Sequence, residues 1–172
     1  MRIPIWLIII ILIVGGVFYL VQKPKQDKAL QELKDEGLYK ERDKICVRQR
    51  HTFYSRTIDN LDVVYQAMKK DHLEEVKLPL DYFKTYSDKQ DGVYFFRVRT
   101  ALGGDKSGGL FLLEQVDSDT ESYVYQFYLN TAYDGKIDSL SLACNLILTS
   151  LENAFKSLDS NIEVERKVNE FS

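Results

Sequence analysis

Residues 140–158, LSLACNLILTSLENAFKSL, carry the longest amphipathic pattern in the polar part of the chain. Leu140, Cys144, Ile147, Leu151, Phe155 and Leu158 step by four, three, four, four and three residues, which lines them along one face of an α-helix. Asp138 or Ser139 can cap its N-terminus. Glu152 falls on the side expected to be exposed. A helix with an apolar stripe this long must lie against another layer, and the residues before it supply one.

Three β-rich runs precede the helix. In Val93-Tyr94-Phe95-Phe96-Arg97-Val98-Arg99, the side chains of Tyr94, Phe96 and Val98 share one face while Arg97 and Arg99 share the other. Leu110 to Val116 is a second apolar run, and Ser122 to Thr131 a third with Tyr123, Tyr125, Phe127 and Leu129 on one side. Gly-rich and Asp/Ser-rich turns separate them, so they read as a three-stranded antiparallel meander. Ahead of it, Asp59 to Lys70 places Leu61, Val64, Tyr65 and Met68 at helical spacing. Lys44 to Tyr54 alternates as a strand with Ile45, Val47 and Phe53 together, although a helix fits almost as well. Ile162 to Val168 alternates too, and its charges suit a sheet edge. The fold class is α+β: an antiparallel sheet, with possible added edge strands, packed by two helices.

At the other end, Ile3 to Val21 reads IPIWLIIIILIVGGVFYLV, nineteen residues without a charge. At about 1.5 Å per residue that run matches a hydrocarbon core of about 30 Å. It exceeds the apolar region of a cleaved signal peptide, and Gln22-Lys23-Pro24-Lys25 offers no small-residue cleavage site. The expected organisation is a transmembrane anchor over 1–22, a polar stalk over 23–43 that ends as a helix at Gly37, and a soluble α+β domain over 44–172. Orientation divides the signals. The lysines after the run favour a cytoplasmic domain, whereas a lone basic Arg2 before a single apolar segment is the layout of a signal anchor. Cys46 and Cys144, a pair that can form one bridge, fit an oxidising compartment. The expectation is a single-pass plasma (inner) membrane protein with its domain on the extracytoplasmic side, the cytoplasmic face being the alternative.

The composition excludes several function classes. Hydrophobic residues at 45%, charged at 28% and aromatic at 12% describe a folding domain rather than a disordered one. With Arg2 set aside, 22 Lys/Arg face 26 Asp/Glu, and that mildly acidic balance offers no long-range attraction for nucleic acid. The glycine loop Gly103 to Gly109 contains Lys106-Ser107 but leads into a strand, so it is no Walker loop, and a flexible hairpin connection describes it better. Neither His51 nor His72 has a ligand-type partner at metal-binding spacing. Asp117 to Glu121 lacks the glycine and distal glutamate of a calcium loop. No Gly-x-Ser-x-Gly or Ser-x-x-Lys exists in the chain. Neither catalytic nor metal residues can be named, and no cofactor is indicated. The candidates that remain for binding are Arg97, Arg99 and Lys106, because exposed arginines beside aromatics are common in protein interfaces. The sequence therefore points to a membrane-anchored interaction protein with a protein partner. A membrane-anchored enzyme with a site of dispersed Asp, Glu, Tyr and Arg residues is the alternative.

Overall fold

The computed structural model describes residues 4–42, 49–100, 109–116, 121–130 and 140–168. Helix α1 runs unbroken from Ile5 to Asp35 through Pro24, and it is long and apolar enough to cross a membrane. Its apolar half, Ile5 to Val21, is largely exposed, as a lipid-facing surface is. The polar half continues the same helix. It ends where Gly37 adopts φ +75°: the N–H groups of Gly37 and Leu38 donate to the carbonyls of Lys34 and Leu33, a Schellman closure that needs a left-handed residue at this position.

The remaining elements are β1 (Gln49–Ser55), α2 (Leu61–Met68, extended by a 3-10 turn to Asp71), β2 (Glu75–Lys77), β3 (Tyr82–Gln90), β4 (Val93–Thr100), β5 (Gly109–Val116), β6 (Tyr123–Leu129), α3 (Ser141–Leu158) and β7 (Glu163–Val168). The strands form one antiparallel sheet in the order β2-β3-β4-β5-β6-β1-β7. The expected three-stranded meander is thus the middle of a larger one running from β2 to β6, with β1 returning beside β6 and β7 closing the far edge. The chain between the 3-10 turn and β4 is mostly strand. β3 escapes a pattern search because its second half is exposed on both faces. Its local signal is the turn: Asp91 and Gly92 both have positive φ (51° and 83°), the two-residue geometry that Asp-Gly favours between antiparallel strands.

One face of the sheet forms the core. Phe53, Phe83, Phe96, Phe111, Leu113, Tyr125 and Phe127 pack there against Leu61, Val64 and Met68 of α2 and the length of α3. Phe53 stacks on Phe155 with centroids 4.4 Å apart, and the Tyr125 hydroxyl donates to the Ile58 carbonyl. At the start of β5, Gly109 leaves no room for a side chain, since a Cβ would meet Leu140 at 2.5 Å. Helix α3 is buried without interruption from Ala143 to Leu151, more than two turns, so it is covered on every side rather than along one stripe. Leu158, expected in that stripe, is 41% exposed because the helix outruns the sheet at its last turn. The capping residues Asp138 and Ser139 lie outside the described residues.

The third side of α3 is covered by the chain that leaves α1. Leu33 and Tyr39 pack against the core cluster, the Asn153 side chain donates to the Gly37 carbonyl, and the Asn145 side chain donates to the Lys40 carbonyl. Glu152, expected to be exposed, instead takes Lys40 Nζ at 2.6 Å and Arg42 Nη2 at 3.0 Å, with 15% of its side chain accessible. The expected costs of truncation change accordingly. Leu151→Ala should destabilise the protein by about 2 to 5 kcal/mol, the range for a truncated core leucine. Glu152→Ala should cost about 3 kcal/mol rather than nearly nothing, because it strands a buried guanidinium. Urea unfolding of the two variants beside the wild type measures both.

Candidate functional site

Two groupings of polar side chains have the density expected of a functional site. The first is the seam between the linker after α1 and helix α3. The linker leaves Gly37 close to α3, which brings Lys40 and Arg42 against residues one helical turn apart on that helix. Arg42 Nη1 donates to Asn145 Oδ1 at 2.5 Å and to Thr149 Oγ1 at 2.7 Å. Its Nη2 lies close to the Glu152 carboxylate without meeting hydrogen-bond geometry. Thr149 Oγ1 also donates to Asn145 Oδ1 at 3.1 Å. Beside this network, Glu41, Arg42, His51, Glu152, Val164 and Arg166 line an open cavity of about 350 Å³.

Electrostatics define what this seam can do. Burial of His51 drives its pKa down to about 4; the Glu152 charge opposes the shift, and Arg166 and Arg42 add to it, so the imidazole is neutral at pH 7. Burial alone would push Glu152 up, but the Lys40 hydrogen bond and the Arg42 and Lys40 charges outweigh it and hold the carboxyl below its usual range. A carboxyl kept ionised by two cations is a poor proton donor, unlike the raised-pKa carboxyls that serve as general acids. The seam is built as an ion-pair lock.

The second grouping lies on the sheet face turned away from the helices. Arg97 and Arg99 are both exposed on β4. In register, Arg97 stands opposite Tyr86 and Arg99 opposite Lys84 on β3. The Arg99 guanidinium sits 5.3 Å from the centroid of the Tyr86 ring, which is 49% exposed. The same face continues through Phe95, Leu110, Leu112 and Tyr128, with Arg50 placed 5.1 Å from the Tyr128 ring centroid. Leu112 and Val124 are buried on this side, yet they do not belong to the helix-covered core. The outer face therefore has an apolar layer of its own, bordered by cations and aromatic rings.

Of the residues singled out from sequence, Arg97 and Arg99 are brought together on this face. Lys106 and Cys46 lie outside the described residues, as do 101–108 of the glycine loop and 117–120 of the acidic turn. Cys144 is buried on α3. No group of His, Cys, Asp and Glu able to hold a metal ion occurs among the described residues. Sequence reading missed the Lys40–Arg42–Glu152 seam altogether. Its partners are more than a hundred positions apart, and the one local signal was a polar trio, Asn145, Thr149 and Glu152, spaced four and three along an otherwise apolar helix. No family model, curated protein or solved structure matches the chain.

His51 makes the seam sensitive to acid. Its ordinary pKa is 6.5 and its folded pKa about 4, so between those values the unfolded chain binds a proton that the folded chain refuses. The stability associated with neutral His51 is complete above pH 6.5, declines as pH falls and is gone near pH 4. That loss should be on the order of 3 kcal/mol. His51→Gln should remove this component, which appears as a shallower fall in unfolding free energy between pH 7 and pH 4.5.

Proposed function

We propose that this chain is a single-pass membrane protein whose α+β domain is a non-catalytic binding module. It serves as an accessory subunit of a bacterial envelope complex or as a binder of one specific protein, such as an incoming toxin. The observation that carries this reading is the outer sheet face, where Tyr86, Arg97 and Arg99 stand exposed beside one another on β3 and β4. Arginine and tyrosine supply large contact area and charge-assisted hydrogen bonds, and both are enriched among residues that dominate binding energy. With Lys84 beside them, the patch suits a partner that presents carboxylates.

A second reading, a membrane-anchored enzyme, draws on one observation: neutral His51 lines the 350 Å³ cavity and has the protonation state of a general base. The engaged state of Glu152 and Arg42 weighs against it, since both are held by the fold itself.

Two experiments test the proposal. In the first, full-length protein is captured from its native membrane with and without the pair Arg97→Glu and Arg99→Glu. The wild type should retain a stoichiometric partner that the charge-reversed variant loses by at least about tenfold, equivalent to roughly 1.4 kcal/mol of binding. Both substitutions are on the exposed face, so the melting temperature should stay near that of the wild type. Retention of the same partner by both proteins, or a wild type recovered alone, would overturn the reading. The second addresses the side of the membrane. Alkaline phosphatase fused after Ser172 should be active if the domain is exported, as the signal-anchor layout implies, and a fluorescent cytoplasm-restricted reporter in its place should stay dark.

A further inference from the structure

The polar half of α1 is fastened to the domain at a second point, nearer the apolar run. Gln26 is 4% exposed. Its side chain accepts a hydrogen bond from the Leu80 N–H at 3.1 Å and donates one to Asp81 Oδ2 at 2.7 Å. The Leu78 N–H donates to the Asp81 carbonyl at 2.7 Å, which closes Leu78-Pro79-Leu80-Asp81 into a tight turn between β2 and β3. Pro79 is exposed at its tip, and Leu78 and Leu80 are half-buried beside it.

The height of this turn above the membrane follows from helix geometry. Gln26 is five residues beyond Val21, the last residue of the apolar run, which is about 7.5 Å along the axis. Side chains on a helix lean toward its N-terminus, so the Gln26 amide, and the Leu80 N–H bound to it, lie closer to the apolar run than that. The headgroup layer adds about 5 to 7 Å on each side of the hydrocarbon core. An apolar turn held at this height is inside the headgroup layer rather than above it. Lys25 is exposed on the helix at this level, and Lys28 and Lys77 are exposed near it, each also beside a carboxylate, Glu32 at 3.8 Å and Glu75 at 3.3 Å; their charge at the interface favours lipid phosphates.

We propose that Leu78-Pro79-Leu80 is a membrane-contact site through which the domain rests on the bilayer that α1 crosses, with the lipid interface as its ligand. This inference depends on the reading that α1 spans the membrane. The site turns a flexible tether into a fixed mount. The transmembrane helix, Gln26, the turn and the start of β3 form one connected unit, so the orientation of the sheet is set relative to the membrane plane.

Tryptophan fluorescence in bilayers tests the site and the spanning reading separately. The full-length chain carries one tryptophan, Trp6, inside the apolar run. In vesicles of phosphatidylcholine and phosphatidylglycerol, acyl chains brominated near the headgroup should quench it. In a Trp6→Phe background, Pro79→Trp should also be quenched and should emit to the blue of its position in detergent-free denaturant. Gln90→Trp, exposed at the far end of β3, should be unaffected by the brominated lipid. If Trp6 is quenched while Pro79→Trp emits as in water, the contact site is overturned and the span stands. Equal quenching at positions 79 and 90 overturns it also, because that reports general adsorption. An unquenched Trp6 overturns the spanning reading and the site with it.

Discussion

Burial of helix α3 on every side is the constraint from which the rest of the structure follows. The sheet covers one side through Phe53, Phe111 and Phe127, and α2 covers another. The third side carries Asn145, Thr149 and Glu152, and polar groups removed from water must be hydrogen-bonded or they cost several kcal/mol. The chain that leaves α1 meets that demand. The Lys40 carbonyl, the Lys40 ammonium and the Arg42 guanidinium supply the acceptor, the donors and the charge that those three side chains lack. A segment that composition marks as a solvated stalk is therefore part of the fold.

That arrangement has mechanical consequences. The Schellman closure at Gly37 aims the linker at α3, and Leu33 enters the same core cluster that α3 fills. Farther up the helix, Gln26 holds the turn at Leu80. The domain is thus attached to its helix at both ends of the polar half, and bending between Gln26 and Leu33 is resisted by the helical backbone hydrogen bonds that join them, Pro24 with its missing N–H lying on the apolar side of both points. The sheet is coupled to the helix through packed elements rather than through a loose linker.

The chemistry of the polar groups supports the same view. Outside the seam, the tight polar contacts serve local geometry. Ser55 Oγ donates to Asp159 and accepts from the N–H groups of Thr57 and Ile58, which shapes the exit from β1. Asp62, in the first turn of α2 behind the Asn60 cap, takes the Tyr94 hydroxyl and the Lys89 ammonium and ties that helix to the β3–β4 hairpin. These contacts give Asp159 and Asp62 structural roles. The exposed Arg97, Arg99 and Tyr86 are committed to the opposite side of the sheet, away from every helix.

Periodicity made much of this legible from sequence, because helix and strand patterns are local. The apolar run, the stripe of α3, the two-sided pattern of β4 and the charged edge strand β7 each announce themselves within a window of ten to twenty residues. Arg97 and Arg99 were readable for the same reason, since alternation alone sends them to the face opposite Phe96. Tertiary structure decided the rest. β3 is half exposed on both faces and has no alternation to read; it is a strand because β4 pairs with it and the Asp91-Gly92 turn returns the chain. Glu152 and Gln26 look like surface residues by type, and only the arrival of Arg42 and of the Leu80 turn, both distant in sequence, brings them inside. A side chain's own pattern reports which face it occupies. What covers that face depends on which remote segment the fold delivers there, and this energy is settled between elements and not within them.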